Sequence, residues 1–353
     1  MAGGIVANSG SMAAWLGFGA LVIVLLALDL FVFHKKEHAD SHRQALGWSL
    51  FWIAISLLFG AGVWIWDGAD KGLEFLTGYV VEKALSVDNL FVFMATFAYF
   101  RVPAERQHRV LFWGVIGAIV MRGFFIFIGG ALLHAFHWVI YVFGAFLVVT
   151  GVKLLFEKEH GIDPEHNPVL KLFRRFVPAT KQYHEGRFLV RDPETGRRLA
   201  TPLLFVLVMI EASDVMFAVD SVPAVFAVTN DVFIVYTSNI FAILGLRALY
   251  SLLAAYIARF SHLRYGLAGV LAFVGVKMLI ADWWHVPILL SLGIIALMLT
   301  AALVASAIWP GKPEPLPDGA VAVLPEEDRA AVAPGAVTAG AEGRPGTAEP
   351  PPR

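Results

Sequence analysis

The chain is 353 residues long, 58% hydrophobic and 16% charged, with a mean hydropathy of +0.70, which excludes a soluble two-domain protein and places it in a bilayer. Its 27 basic and 28 acidic residues nearly cancel, so the basic excess of a nucleic-acid binder is missing and no nucleic-acid partner is expected. With no cysteine there is no disulfide, thiolate metal site, iron–sulfur cluster or cysteine nucleophile, and chemistry is left to Asp, Glu, His, Arg and hydroxyl groups.

A hydrocarbon core about 30 Å thick takes about 20 apolar helical residues to cross. Stretches at 12–33, 46–66, 73–97, 110–133, 138–156, 202–228, 233–256, 265–281 and 286–309 approach or meet that length, which predicts an all-α polytopic membrane protein of about nine spans. The first has no basic residue before it and is followed by Lys35-Lys36, the pattern of an N-out anchor rather than a signal peptide. Lys and Arg are absent before it and number three in 34–45, one in 67–72, three in 98–109, none in 134–137, nine in 157–201, none in 229–232, two in 257–264 and none in 282–285. Positive connections stay in the cytoplasm, so this alternation puts the N-terminus outside and the C-terminus inside.

The connection 157–201 is the one sizeable cytoplasmic element. Asn167-Pro168 starts a short amphipathic helix, and FLVR-DPETG-RRLAT reads as a β-hairpin. Its basic residues suit the headgroup region or a cytoplasmic or membrane protein partner, and His160, Asp163, Glu165 and His166 read as a solvated turn. The chain divides into a transmembrane domain, 1–309, and a tail, 310–353, of Pro, Ala, Gly and Glu expected to be disordered.

Three blocks recur in order. LSVDNLFVF (85–93) matches FAVDSVPAVF (217–226), GAIVMRGFFIF (117–127) matches FAILGLRALYSL (241–252), and FGAFLVVTGVKLL (143–155) matches LAGVLAFVGVKML (267–279), at offsets of 132, 125 and 124 residues. Each unit holds three spans, an odd number, so the second copy enters from the opposite side. Spans 3–5 and 6–8 are therefore expected to be inverted repeats, an architecture that many secondary transporters build around a midplane site.

A charge near the bilayer centre costs about 2.5–3.5 kcal/mol on insertion scales, yet spans 3 and 6 carry Glu82, Asp88, Glu211, Asp214 and Asp220, and spans 4 and 7 carry Arg122 and Arg247. In the repeat, Asp88 matches Asp220, Glu82 matches Asp214 and Arg122 matches Arg247. Purely structural ion pairs leave about three carboxylates to protonate or bind a cation. Lys83 offsets part of that excess, while Lys153 and Lys277, near helix ends, snorkel. On a helix Glu82, Ser86 and Asn89 share a face with Asp88 about 120° away, and Glu211 and Asp214 share a face opposite Asp220. Pro223 is expected to bend or unwind span 6 beside Asp220, Ser221 and Val222, freeing carbonyls as further ligands. Carboxylates with Ser86, Asn89, Ser221 and carbonyls form an oxygen site for Mn²⁺, Mg²⁺, Ca²⁺ or protons, with Arg122 and Arg247 supporting it. His34, His108, His134, His137 and His285 lie in loops or at helix ends, away from the acids, and Trp64, Trp66, Trp138, Trp283 and Trp284 read as an interfacial belt. Asp29 either lines a cytoplasmic mouth or reaches the interface.

EKALSVDNLFVF (82–93), QHRVLFWG (107–114), EASDVMFAVDSVPAVFAVT (211–229) and TSNIFAILGLRALY (237–250) closely resemble the TerC/Alx family of bacterial integral membrane proteins, named for tellurium resistance, over about 1–309. The resemblance implies a multi-pass inner-membrane exporter of manganese or a similar divalent cation, and no permanently bound cofactor. It carries the family's acids onto Glu82, Asp88, Glu211, Asp214 and Asp220. Ser213 stands where related sequences often have Thr. An acid-lined site repels tellurite, so a tellurium phenotype is expected to be indirect. The alternatives are a membrane scaffold of a metal or tellurite stress-response complex docking through 157–201, and an intramembrane aspartyl enzyme using Asp88 and Asp220. The second lacks a Gly-x-Gly-Asp element and a His-Glu-x-x-His, so no enzymatic activity is expected.

Overall fold

The computed structural model describes residues 11–33, 42–156, 172, 177–180, 186–191, 196–253, 262–284 and 286–309. The tail, the expected amphipathic helix of the long connection apart from Leu172, and His160, Asp163, Glu165 and His166 lie outside the described residues, as do His34 and His285. The helices are α1 (Met12–Phe33), α2 (His42–Asp67), α3 (Ala69–Tyr99), α4 (Ala104–Ala135), α5 (Val139–Phe156), α6 (Pro202–Phe226), α7 (Val232–Ile243), α8 (Leu246–Leu253), α9 (Leu263–Leu279) and α10 (Ile288–Ile308). The expected hairpin is present, β1 (Leu189–Arg191) pairing antiparallel with β2 (Arg198–Ala200).

Seven helical stretches among the described residues are long and apolar enough to cross a membrane: Met12–Asp29, Arg43–Asp67, Glu105–Ala135, Val139–Phe156, Pro202–Phe226, Val232–Leu252 and Ile288–Ile308. Of the other two expected spans, α3 carries Glu82, Lys83 and Asp88 near its middle, and α9 has only 17 residues. Both nevertheless lie inside the bundle. The expected belt residues Trp64, Trp66, Trp138, Trp283 and Trp284 are exposed.

Two expectations about helix breaks are corrected. Span 6 is not unwound beside Asp220: α6 runs unbroken from Pro202 to Phe226 with Pro223 inside it. Pro223 removes the one N–H that would bond the Val219 carbonyl, a loss the helix carries without a break. The helix end closes with Ala227 N–H donating to the Pro223 carbonyl at 3.0 Å and Val228 N–H to Val225 at 2.9 Å. The break lies in span 7, expected as one helix over 233–256. α7 stops at Ile243, Gly245 takes φ +81°, and α8 starts at Leu246. A side chain at Gly245 is excluded twice, by the left-handed backbone and by Trp52, whose Cβ and Cγ would lie 2.6 Å from an added Cβ.

The core is aromatic where α1, α2, α3 and α7 meet, around Phe18, Trp52, Phe75, Tyr79, Phe233 and Phe241. A second, aliphatic cluster joins α3, α5, α6, α9 and α10 through Val81, Leu147, Ala224, Val270, Leu271, Val274 and Ile295. α5 and α9 cross with their backbones in contact. A Cβ on Gly144 would lie 2.9 Å from the Gly275 carbonyl, one on Gly275 2.7 Å from the Gly144 carbonyl, and one on Gly151 2.8 Å from the Ala268 carbonyl.

Connections expected on one side of the membrane meet one another. Lys71 reaches Glu74 at 2.8 Å and Asp231 at 3.3 Å, and Thr229 donates to Glu74 at 2.6 Å. Burial opposes the Lys71 charge, but Glu74 and Asp231 outweigh it and raise its pKa. His137 and Tyr141 meet Asp282. On the other side the Arg109 guanidinium lies over the Phe188 ring of the hairpin region, and Tyr250 donates to Gln107 at 2.8 Å. Asp231 also caps α7, accepting from Phe233 N–H at 3.0 Å and Ile234 N–H at 3.4 Å. Asp231→Ala is expected to cost about 1–2 kcal/mol, read as a lower melting temperature of the purified chain. Asp231→Asn, which keeps the cap acceptor, is expected to cost less than half of that; equal losses would assign the effect to charge alone.

Candidate cation site

α3, α4, α6 and α7 meet around one guanidinium. Glu82, Ser86 and Asn89, spaced to share a face of α3, are all buried. Arg122 of α4 is 2% exposed, and its Nη1 donates to Glu82 Oε1, to Ser221 Oγ of α6 at 3.0 Å and to Asn239 Oδ1 of α7 at 2.8 Å. Asn239 Nδ2 in turn donates to Glu82 Oε2 at 3.0 Å. A guanidinium NH₂ has two hydrogens, yet three oxygens converge on this one nitrogen. The oxygens outnumber what the nitrogen can serve.

The other predicted residues are distributed around this centre. Asp214, buried on α6, lies within electrostatic reach of Arg122. One turn earlier, Glu211 fills a notch left by Gly117 on α4, where an added Cβ would overlap the carboxylate. Its Oε2 is buried without a hydrogen-bond partner. Asp220 faces the other way, accepting from Thr150 Oγ1 of α5 at 3.3 Å, with Lys153 as its charged neighbour. Ser221 reaches Arg122 because one residue turns a helix by about 100°. Ser86 Oγ is buried without a partner. Asp88 lies on α3, and its side chain is outside the described residues.

Thus Glu82, Arg122 and Ser221 come together with Asp214 in reach, whereas Glu211 and Asp220 stand apart. Among the described residues no three acidic or histidine side chains gather into a metal-binding group. Arg247, the counterpart of Arg122 in the sequence repeat, pairs with Asp29 of α1 at 3.5 Å. His108 is half-buried, and His134 and His137 are exposed, His137 beside Asp282.

One residue, Asn239, was not among the sequence candidates, and another, Lys83, was expected only to offset the acidic excess. Asn239 links Arg122 to Glu82; its signal was an amide in an apolar span, a group that needs a partner there. Lys83 Nζ donates to the Ala242 carbonyl at 3.1 Å, at the end of α7 beside the Gly245 break. A cation at a helix C-terminus answers both the freed carbonyls and the negative end of the dipole.

A family model described as the integral membrane protein TerC family matches residues 67–313. An uncharacterized membrane protein of Myxococcus xanthus is 52% identical over 299 residues, 85% of this chain and 93% of the relative. Alx of Escherichia coli K12, whose name describes it provisionally as a membrane-bound redox modulator, is 48% identical over 309 residues, 84% of this chain and 95% of the relative. An uncharacterized membrane protein of Rickettsia bellii is 41% identical over 295 residues, 84% of this chain and 97% of the relative. No solved structure matches the chain.

Proposed function

We propose that this chain, which belongs to the integral membrane protein TerC family, exports Mn²⁺ or a similar hard divalent cation from the cytoplasm across the bacterial inner membrane. The observation that carries this reading is the convergence of Glu82, Ser221 and Asn239 oxygens, from three helices, on a single positively charged nitrogen. Carboxylate, hydroxyl and amide oxygens are the ligands hard divalent ions take, and a buried set of them at membrane depth is costly without a cation. Asp88, Asp214, Asp220 and Glu211 supply the remaining charge, and protons or the membrane potential supply the coupling. The cation is substrate, and the chain acts as a transporter rather than an enzyme. With no cysteine it has no thiol through which to act on redox state.

The reading includes nine crossings, N-terminus outside and C-terminus inside, with spans 3–5 and 6–8 as inverted repeats. The meeting of connections expected on one side supports the crossings. The α5–α9 contact supports the repeats. In the sequence alignment Gly144 matches Ala268 and Gly151 matches Gly275, so exchanging the two units turns the Gly144–Gly275 contact into the Ala268–Gly151 contact, which is also made. Such a pair of halves suits alternating access.

The test is Mn²⁺ efflux measured in inverted membrane vesicles. Asp88→Asn and Asp220→Asn are each expected to lower it by about tenfold or more, the scale on which losing a carboxylate near a metal acts. Unchanged efflux in both would remove Asp88 and Asp220 from the transport path; Ser221→Ala, at the convergence of oxygens itself, is expected to lower efflux as well, and unchanged efflux in all three would sink the site assignment.

A further inference from the structure

We infer that Arg122 is the transporter's own counter-cation: its guanidinium occupies the site when cargo is absent and is displaced by the cargo when it binds. This rests on the cation-export reading above and deepens it. Nη1 sits where the Glu82, Ser221 and Asn239 oxygens converge, the position that best balances their negative potential. Its two hydrogens serve two of these oxygens at full strength, whereas a divalent ion takes six or more oxygen ligands and can hold all three together with Glu82 Oε2. The occupant is therefore a cation that fits the cage less completely than the ion the cage suits.

Displacement needs somewhere for the guanidinium to go. Asp214 lies within electrostatic reach of Arg122, and in the repeat it is the counterpart of Glu82. Arg122 is thus bonded to the Glu82 carboxylate on α3 and within electrostatic reach of the matching Asp214 carboxylate on α6. Moving from Glu82 towards Asp214 vacates the cage without carrying an unpaired charge through the bilayer. Return of the guanidinium then evicts cargo, so the cage holds positive charge throughout the cycle.

The experiment is Mn²⁺ binding to the purified full-length chain in detergent, comparing wild type with Arg122→Ala and Arg122→Lys. Removing a tethered competitor raises affinity, by about tenfold if the guanidinium holds the site nine-tenths of the time. Arg122→Ala is expected to bind Mn²⁺ more tightly than wild type while exporting it more slowly, because nothing evicts the ion. Millimolar guanidinium is expected to weaken Mn²⁺ binding to Arg122→Ala and leave wild type unaffected, a rescue that a merely structural arginine does not produce. Should Arg122→Ala fail to yield folded protein, Arg122→Lys carries the test, with affinity expected at or above that of wild type. Weaker binding by the folded variants, or binding indifferent to guanidinium in Arg122→Ala, overturns the inference. Absence of Mn²⁺ binding by every protein, wild type included, instead overturns the cation reading and this inference with it.

Discussion

Glu82→Gln is expected to destabilise the chain by about 3–5 kcal/mol, the cost of leaving one member of a buried ion pair behind. The size follows from what remains rather than from what is removed. A hydrogen bond inside a membrane protein is worth about 0.6 kcal/mol on average, so losing the bonds alone gives a small effect. The Arg122 guanidinium, 2% exposed, would instead face a neutral amide, with Asp214 as its remaining negative neighbour. Arg122→Gln is expected to cost a similar amount by leaving the Glu82 carboxylate facing Asn239 alone. The double variant should cost clearly less than the two added together, since it leaves no orphaned charge. Thermal melting of the three purified variants measures this. A Glu82→Gln protein within about 0.5 kcal/mol of wild type would mean that the pair is not the buried contact described.

Gly245→Ala is expected to be the second large effect, about 2–5 kcal/mol. A non-glycine residue at φ +81° costs about 1–2 kcal/mol by itself. Added to that is overlap with Trp52, which is 1% exposed and touches the site through its own Cβ and Cγ at 2.6 Å, so that no rotamer change relieves it; such overpacking costs about 1–3 kcal/mol. Gly47→Ala, in α2 with nothing within 4 Å of the added carbon, is the matched control. It is expected to be neutral or stabilising by up to about 1 kcal/mol, since alanine is the better helix residue. Equal melting temperatures for the two variants would remove the break between α7 and α8.

The contrast between these glycines explains much of what could be read in advance. Helical spans were legible because apolar length is a direct requirement of the bilayer, and the β1–β2 hairpin because Asp192-Pro193 and Gly196 mark a turn. Gly245 was not legible as a break: it sits in FAILGLRALY, apolar on both sides, and a glycine inside such a run is as compatible with helix as with a cap. Pro223 gave the stronger local signal, yet α6 runs through it unbroken, with one intrahelical hydrogen bond lost. At the site, the cost of burying charge singled out Glu82, Asp88, Glu211, Asp214, Asp220, Arg122 and Arg247, of which Glu82 and Arg122 meet with Asp214 in reach. It could not say that Arg122 would choose Glu82, 40 residues away, while Arg247 chose Asp29 of α1. Pairing of that kind is decided by which helices become neighbours, and no periodicity encodes it. Asn239, 117 residues from Arg122, was hidden for the same reason.

The meeting of α5 and α9 at Gly144, Gly151 and Gly275 bears on motion as well as stability. Helices that interlock through side-chain ridges must disengage them, one rotamer after another, before either can move past the other, and each step is a barrier. Where two backbones touch directly fewer side chains stand between them, and here Val148, Leu271, Met278 and Leu279 pack around the glycines. Close approach still makes separation costly, because many small dispersion contacts and carbonyl contacts to Cα hydrogens are lost together. A Cβ on Gly275 would lie 2.7 Å from the Gly144 carbonyl, so Gly275→Ala is expected to push the two helices apart and lower the melting temperature of the purified chain.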